Sequence, residues 1–165
     1  MTIQVSGDAL ELIPKLKDDE GLSAALRKAM KGENGLTVSH IQRQYLSLPK
    51  DGPTSLNGLR IISNRLRPSL NASEPQGDIR SGIQSSIGSN VVYARILEEG
   101  GVTRPHKIVA RNARALSFKG LFRRSVNHPG SKIEGRHYVR RGISDRLDDY
   151  GAVFTRTILR FWKGT

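Results

Sequence analysis

Between Tyr138 and Phe161 the apolar residues Ile143, Leu147, Tyr150, Phe154, Ile158 and Phe161 recur every three or four positions. That spacing lines side chains along one face of an α-helix. Such a helix draws most of its stability from burying the stripe, so the rest of the chain must supply a surface to cover it. Arg140, Arg141, Arg146, Arg156 and Arg160 are assigned to the opposite, charged side. A chain of 165 residues, 36% apolar and 25% charged, can build one such core and is too short for two well-built ones. A single domain over residues 1–165 is therefore expected, with residues 138–162 as its C-terminal amphipathic helix.

Ile3 and Val5 alternate with polar neighbours as a short strand does, and Asp8 with Glu11 three residues on has the signature of a capped helix start. Leu12, Ile13 and Leu16 form the apolar side of that first helix. After the acidic stretch Asp18-Asp19-Glu20-Gly21, the set Leu22, Ala25, Leu26, Ala29 and Met30 repeats at helical spacing. The Gly-rich segment 31–35 is expected to end this region, and residues 37–48 to form another short helix, giving a helical region over 1–50. From Lys50 to Gln76 the composition is loop-like. A strand is expected at 78–87, turning at Gly88-Ser89-Asn90 into a hairpin with Val91-Val92-Tyr93. One or two helical turns follow to Glu99, stopped by Gly100-Gly101. Strands are expected at 107–110, 115–118 and 121–126, completing an antiparallel sheet over 60–137 with a long basic loop. The fold class is thus α+β: a small antiparallel sheet packed with an N-terminal helical region and a C-terminal amphipathic helix.

The chain has no cysteine, which excludes disulfides, thiolate metal sites and cysteine nucleophiles. Its start lacks a signal-peptide pattern, and no segment approaches the roughly 20 apolar residues of a membrane span, so a soluble protein is expected. Net charge is +12 and unevenly placed: residues 1–100 carry 12 Lys/Arg against 11 Asp/Glu, whereas residues 101–165 carry 15 against 4. A basic third of this kind calls for a partner of opposite charge. Aromatic residues are only 5% of the chain, too few for a base-stacking platform, and the arginines are scattered. Both features favour a protein partner or loose phosphate contact over sequence reading.

No residue pattern supports catalysis. His40, His106, His128 and His137 lack metal-ligand spacing, and no serine sits in a G-x-S-x-G elbow. The adjacent carboxylates Asp18-Asp19, Glu98-Glu99 and Asp148-Asp149 point different ways on a helix. The seventeen glycines form no phosphate-binding loop. A non-enzymatic protein without metal or cofactor is expected.

The segment Ile87-Gly88-Ser89-Asn90-Val91-Val92-Tyr93-Ala94-Arg95-Ile96-Leu97-Glu98-Glu99-Gly100-Gly101 resembles a hallmark of tailed-bacteriophage tail-completion and virion-morphogenesis proteins. In that family a strand, a tight turn and a Tyr-Ala pair lead into a short helix closed by Glu and Gly. Downstream, His128-Pro129-Gly130-Ser131-Lys132-Ile133-Glu134-Gly135-Arg136-His137-Tyr138-Val139-Arg140 is similar to the family's "HPG-x-x-I-x-x-R-P-[FY]" segment leading into the C-terminal helix. Leu66-Arg67-Pro68-Ser69-Leu70 is similar to its "L-R-x-S-I" strand start. Here His137 stands where the family often has Pro, and Glu99 where an aromatic commonly precedes Gly.

The resemblance implies a structural virion protein at the head–tail joint, completing the tail or joining it to the head-side connector. Alternatives are a tail terminator or stopper ring subunit, or a basic nucleic-acid-binding protein. It also implies a homo-oligomeric ring, six copies in the family, assembled in the host cytoplasm. Its neighbours would be connector, stopper, tail-tube or terminator proteins, with non-specific contact to DNA passing through. Family loops in this region reach neighbouring subunits, which makes Arg104, His106, Lys107, Arg111, Arg114, Arg123 and Arg124 the candidate interface. Tyr93 and Ala94 are expected to anchor the strand-to-helix corner. Gly100, Gly101, Pro129 and Gly130 are expected to shape the chain reversals.

Overall fold

The computed structural model describes residues 2–5, 19–49, 58–59, 64–111, 113–118 and 120–163. Among these residues the fold is α+β, with five helices and small antiparallel sheets. The expected cap at Asp8 and the apolar residues Leu12, Ile13 and Leu16 lie outside the described residues.

Helix α1 (Asp19–Gln44) is the central element. Leu22, Leu26 and Met30, four residues apart, share its buried face with Thr37 and Ile41. Burying a large apolar side chain of this kind stabilises the fold by about 1.5–3 kcal/mol. The expected break at 31–35 does not occur, and the two anticipated helices are one. Gly32 and Gly35 both face open space. Their weak helix propensity, about 1 kcal/mol each, is offset because the same two turns bury Glu33, Asn34 and Thr37.

Asn34 and Thr37 explain why a polar stretch continues into the core. Asn34 Nδ2 donates to Ser85 Oγ at 2.7 Å, and the Tyr150 hydroxyl donates to Asn34 Oδ1 at 2.7 Å. Thr37 Oγ1 in turn donates to the Tyr150 oxygen at 3.1 Å. Buried polar groups satisfied in this way stabilise one register of α1 against its neighbours.

The body sheet has the order β1-β3-β2, from β1 (Thr2–Val5), β3 (Ile83–Ser89) and β2 (Leu70–Ala72), all antiparallel. Ile83, Ser85 and Ile87 of β3 point into the core while the residues between them face out. The expected hairpin between 78–87 and 91–93 is replaced by a different pairing. β3 runs through Gly88 and Ser89, and both its edges pair with strands distant in sequence. Residues 78–81 form a tight turn instead, in which the Asp78 carboxylate accepts from the Arg80 and Ser81 amides at 2.8 and 2.7 Å. Those bonds hold the Asp78 carboxyl below its ordinary pKa. The Leu66–Leu70 segment is split between a single helical turn, α2 (Leu66–Ser69), and the start of β2.

The expected C-terminal helix is two helices, α4 (Tyr138–Ser144) and α5 (Leu147–Lys163). At the break, Arg146 turns inward and its guanidinium pairs with Glu33 at 2.7 Å and Asp149 at 3.0 Å. Asp145 accepts from the Tyr45 hydroxyl at 2.7 Å and pairs with His40 at 2.8 Å, contacts that depress its pKa. The change of direction lets Ile143 of α4 and Tyr150 and Phe154 of α5 enter the same core as α1. Among the described residues no helix is long and apolar enough to cross a membrane.

Candidate functional site

The strands expected to complete the sheet form a separate structure. β4 (Gly100–Val102) pairs with β9 (Lys132–Glu134), β5 (His106–Val109) with β8 (Ser125–His128), and β6 (Leu116–Phe118) with β7 (Leu121–Arg123). The pairs are nested in one register: Gly100 faces Glu134, His106 faces His128 and Val109 faces Ser125. The Ala110 amide extends the ladder to Arg124 O at 3.2 Å. Pairing resumes with Leu116 opposite Arg123, so the register shifts between the β5–β8 and β6–β7 pairs. The described residues between 100 and 134 therefore form one long β-hairpin, an arm. The anticipated basic loop is its paired outer length.

The arm leaves the body at α3 (Ala94–Glu99). Gly100 caps this helix at φ 80°, and a Cβ there would lie 2.7 Å from Gly135 N. Only glycine lets the outgoing and returning strands approach so closely. The return is fixed by the Arg136 amide donating to Leu97 O at 2.8 Å and the His137 amide to Glu98 O at 3.0 Å. Glu98 then accepts the Val139 and Arg140 amides at 2.9 and 3.0 Å, capping the start of α4. His137 sits at φ 51°, a conformation proline cannot adopt.

Ala94 is buried as expected, but Tyr93 remains 37% exposed. The buried aromatic of this corner is Tyr138, 1% exposed, whose hydroxyl donates to Ala94 O at 3.4 Å and whose pKa burial pushes up to about 12.

Further out, the Thr103 amide donates to Ser131 O at 2.9 Å, and the Ser131 amide returns a bond to Thr103 Oγ1 at 2.8 Å. The Gly130 amide donates to His128 Nδ1 at 3.1 Å across Pro129, with Gly130 at φ 92°. The rings of His106 and His128 stack at 5.1 Å.

All seven candidate interface residues lie on this arm, every one exposed. Strand alternation puts Lys107 and Arg123 on one face and His106 and Arg124 on the other. Arg111 and Arg114 lie between β5 and β6. Lys107, Leu116, Leu121, Arg123, Ser125, Val126 and Asn127 line a shallow recess of about 460 Å³. Val102, Val109, Leu121 and Phe122 are 53–74% exposed. Among the described residues, Arg104, Lys107, Arg111, Arg114, Arg123, Arg124 and Lys132 form no ion pair.

The body is the opposite case. Its carboxylates at Asp19, Glu20, Glu33, Glu74, Glu99, Asp145 and Asp149 all face cationic or histidine partners. Sequence reasoning missed these partnerships, since only the fold brings Arg146 to Glu33. Among the described residues, no group of three or more His, Asp or Glu is arranged to hold a metal ion. The chain matches no family model, no curated protein and no solved structure.

Proposed function

We propose that this chain is a structural, non-catalytic protein of a tailed-phage virion. In this reading it forms a ring at the head–tail joint and completes the tail or joins it to the head-side connector. One observation carries the proposal: the two separated segments that resemble the tail-completion family pack against each other and together launch the arm. Tyr138 reaches Ala94, and residues 136–140 hydrogen-bond to Leu97 and Glu98.

The arm itself supports an assembly role. A two-stranded ribbon is marginal in water when left uncovered, and this one presents Val102, Val109, Leu121 and Phe122 to solvent. Such a ribbon is suited to being held by something outside its own chain. A surface that binds a different surface on the next copy, repeated around an axis, closes a ring. The copy number of six comes from the resemblance, as do the neighbouring connector and tail proteins and the virion location.

Electron microscopy of particles assembled without the protein tests this reading. Full heads beside separate, finished tails are expected, whereas normal infectious virions would refute it.

A further inference from the structure

We infer that the partner of the arm is duplex DNA, gripped through its phosphates without sequence reading. The inference takes from the preceding reading only that the arm is the working surface; it does not require a ring.

Charge balance decides against a second copy of the chain as the main partner. The arm carries seven described cations without ion-pair partners. The described carboxylates of the body are almost all engaged: seven in ion pairs, Asp78 in its turn and Glu98 at the α4 cap. Asp148 on the body and Glu134 at the base of the arm are the described carboxylates without a partner. Among the described residues two free carboxylates per copy stand against seven cations, in a chain of net charge +12, so a polyanion matches the arm better than a second copy does.

Geometry points to duplex rather than single strands. The major groove, about 12 Å wide, admits a two-stranded β-ribbon, and the strands of such a ribbon lie about 4.8 Å apart. A ribbon in a groove has phosphates along both walls, and here cations project from both faces, with Arg111 and Arg114 exposed between β5 and β6. Duplex DNA offers about one negative charge per 1.7 Å of axis, enough to engage every cation along the arm. Single strands are held by ladders of exposed aromatics. Among the residues whose exposure is described, the outer arm shows Phe122, 74% exposed, near its tip. The Asn and Gln side chains that pair with adenine are also scarce, with Asn127 the one such residue on a described arm strand.

The test is a titration of the full chain with a labelled random-sequence duplex at increasing salt, with sedimentation of the same samples. Five to seven phosphate contacts give a slope of log K against log salt of about −4.5 to −6. Lys107→Ala/Arg123→Ala/Arg124→Ala is expected to make that slope shallower by about 2.7. Arg156→Ala/Arg160→Ala/Lys163→Ala removes the same charge from the exposed side of α5 and is expected to leave the slope unchanged. Thermal melts establish that both variants are folded.

Three outcomes overturn the inference. The first is no binding at low salt. The second is an equal slope change from the two triple variants, which would mean net charge alone. The third is loss of self-association from the arm variant with DNA binding intact, which would give the arm to a protein partner. Arm-dependent DNA binding by a chain that sediments as a monomer would uphold this inference and defeat the ring.

Discussion

Replacing Gly142 by Ala sets two forces against each other. Gly142 lies inside α4, where alanine is the better helix former by about 1 kcal/mol, so propensity alone predicts a more stable protein. The packing of α4 on α1 predicts the reverse. A Cβ at position 142 would overlap Ile41 Cγ1 and stand 3.1 Å from Ile41 Cδ1. Ile41 is 0% exposed and has no room to turn away. Forcing a methyl into a filled core costs about 1–3 kcal/mol, and a direct overlap between two helices belongs at the upper end. The net expectation is a loss of about 1–2 kcal/mol, read as a lower urea midpoint at unchanged slope. Ile41→Ala alone should cost about 2–5 kcal/mol through the cavity it leaves. In that cavity the added methyl fits, so the double variant should be more stable than the sum of the singles by at least about 1 kcal/mol. A stabilised Gly142→Ala protein, or simple additivity in the cycle, would refute the packing argument.

Tyr150→Phe removes a donor to Asn34 and an acceptor for Thr37, leaving both buried groups short of a partner. A loss of about 1–3 kcal/mol in urea unfolding is expected. Tyr138 carries a folded pKa raised to about 12. Its contribution is complete below the unfolded value near 10 and is lost as pH rises through the folded one, with an order of about 2 kcal/mol at stake. Unfolding measured from pH 8 upward should show this decline, and Tyr138→Phe should make it shallower, leaving the part due to Tyr45 and Tyr150, which are raised as well. Glu98→Ala deprives two α4 amides of their acceptor and should cost about 0.5–2 kcal/mol by thermal melt, with Glu98→Gln falling between.

The apolar periodicities were legible because they are local. Leu22, Leu26 and Met30, and likewise Tyr150 and Phe154, face the core as their spacing predicts. The errors arose where tertiary contacts outweigh local signals. Gly32 and Gly35 read as a helix end, but nothing in their spacing shows that Asn34 and Thr37 between and beyond them will meet Ser85 and Tyr150. Gly88-Ser89-Asn90 reads as a hairpin turn, yet β3 pairs with β1 and β2, both earlier in the chain, and not with the residues after the turn. The candidate residues from Arg104 to Arg124 were recognisable as basic. Their assembly into one hairpin was not, because the strands are short and the register shifts between the β5–β8 and β6–β7 pairs. Their lack of ion partners depends on how every carboxylate elsewhere is used, which no sequence pattern shows.

The account rests most heavily on the arm as the working part of a joining protein. It is tested most directly by shortening the arm beyond the Thr103–Ser131 pair with a two-residue turn and supplying that variant to a phage lacking the wild-type chain. The body should melt as before, while electron microscopy shows full heads and finished tails unjoined and infectivity is lost. Infectious, fully joined virions built with the shortened chain would contradict the account.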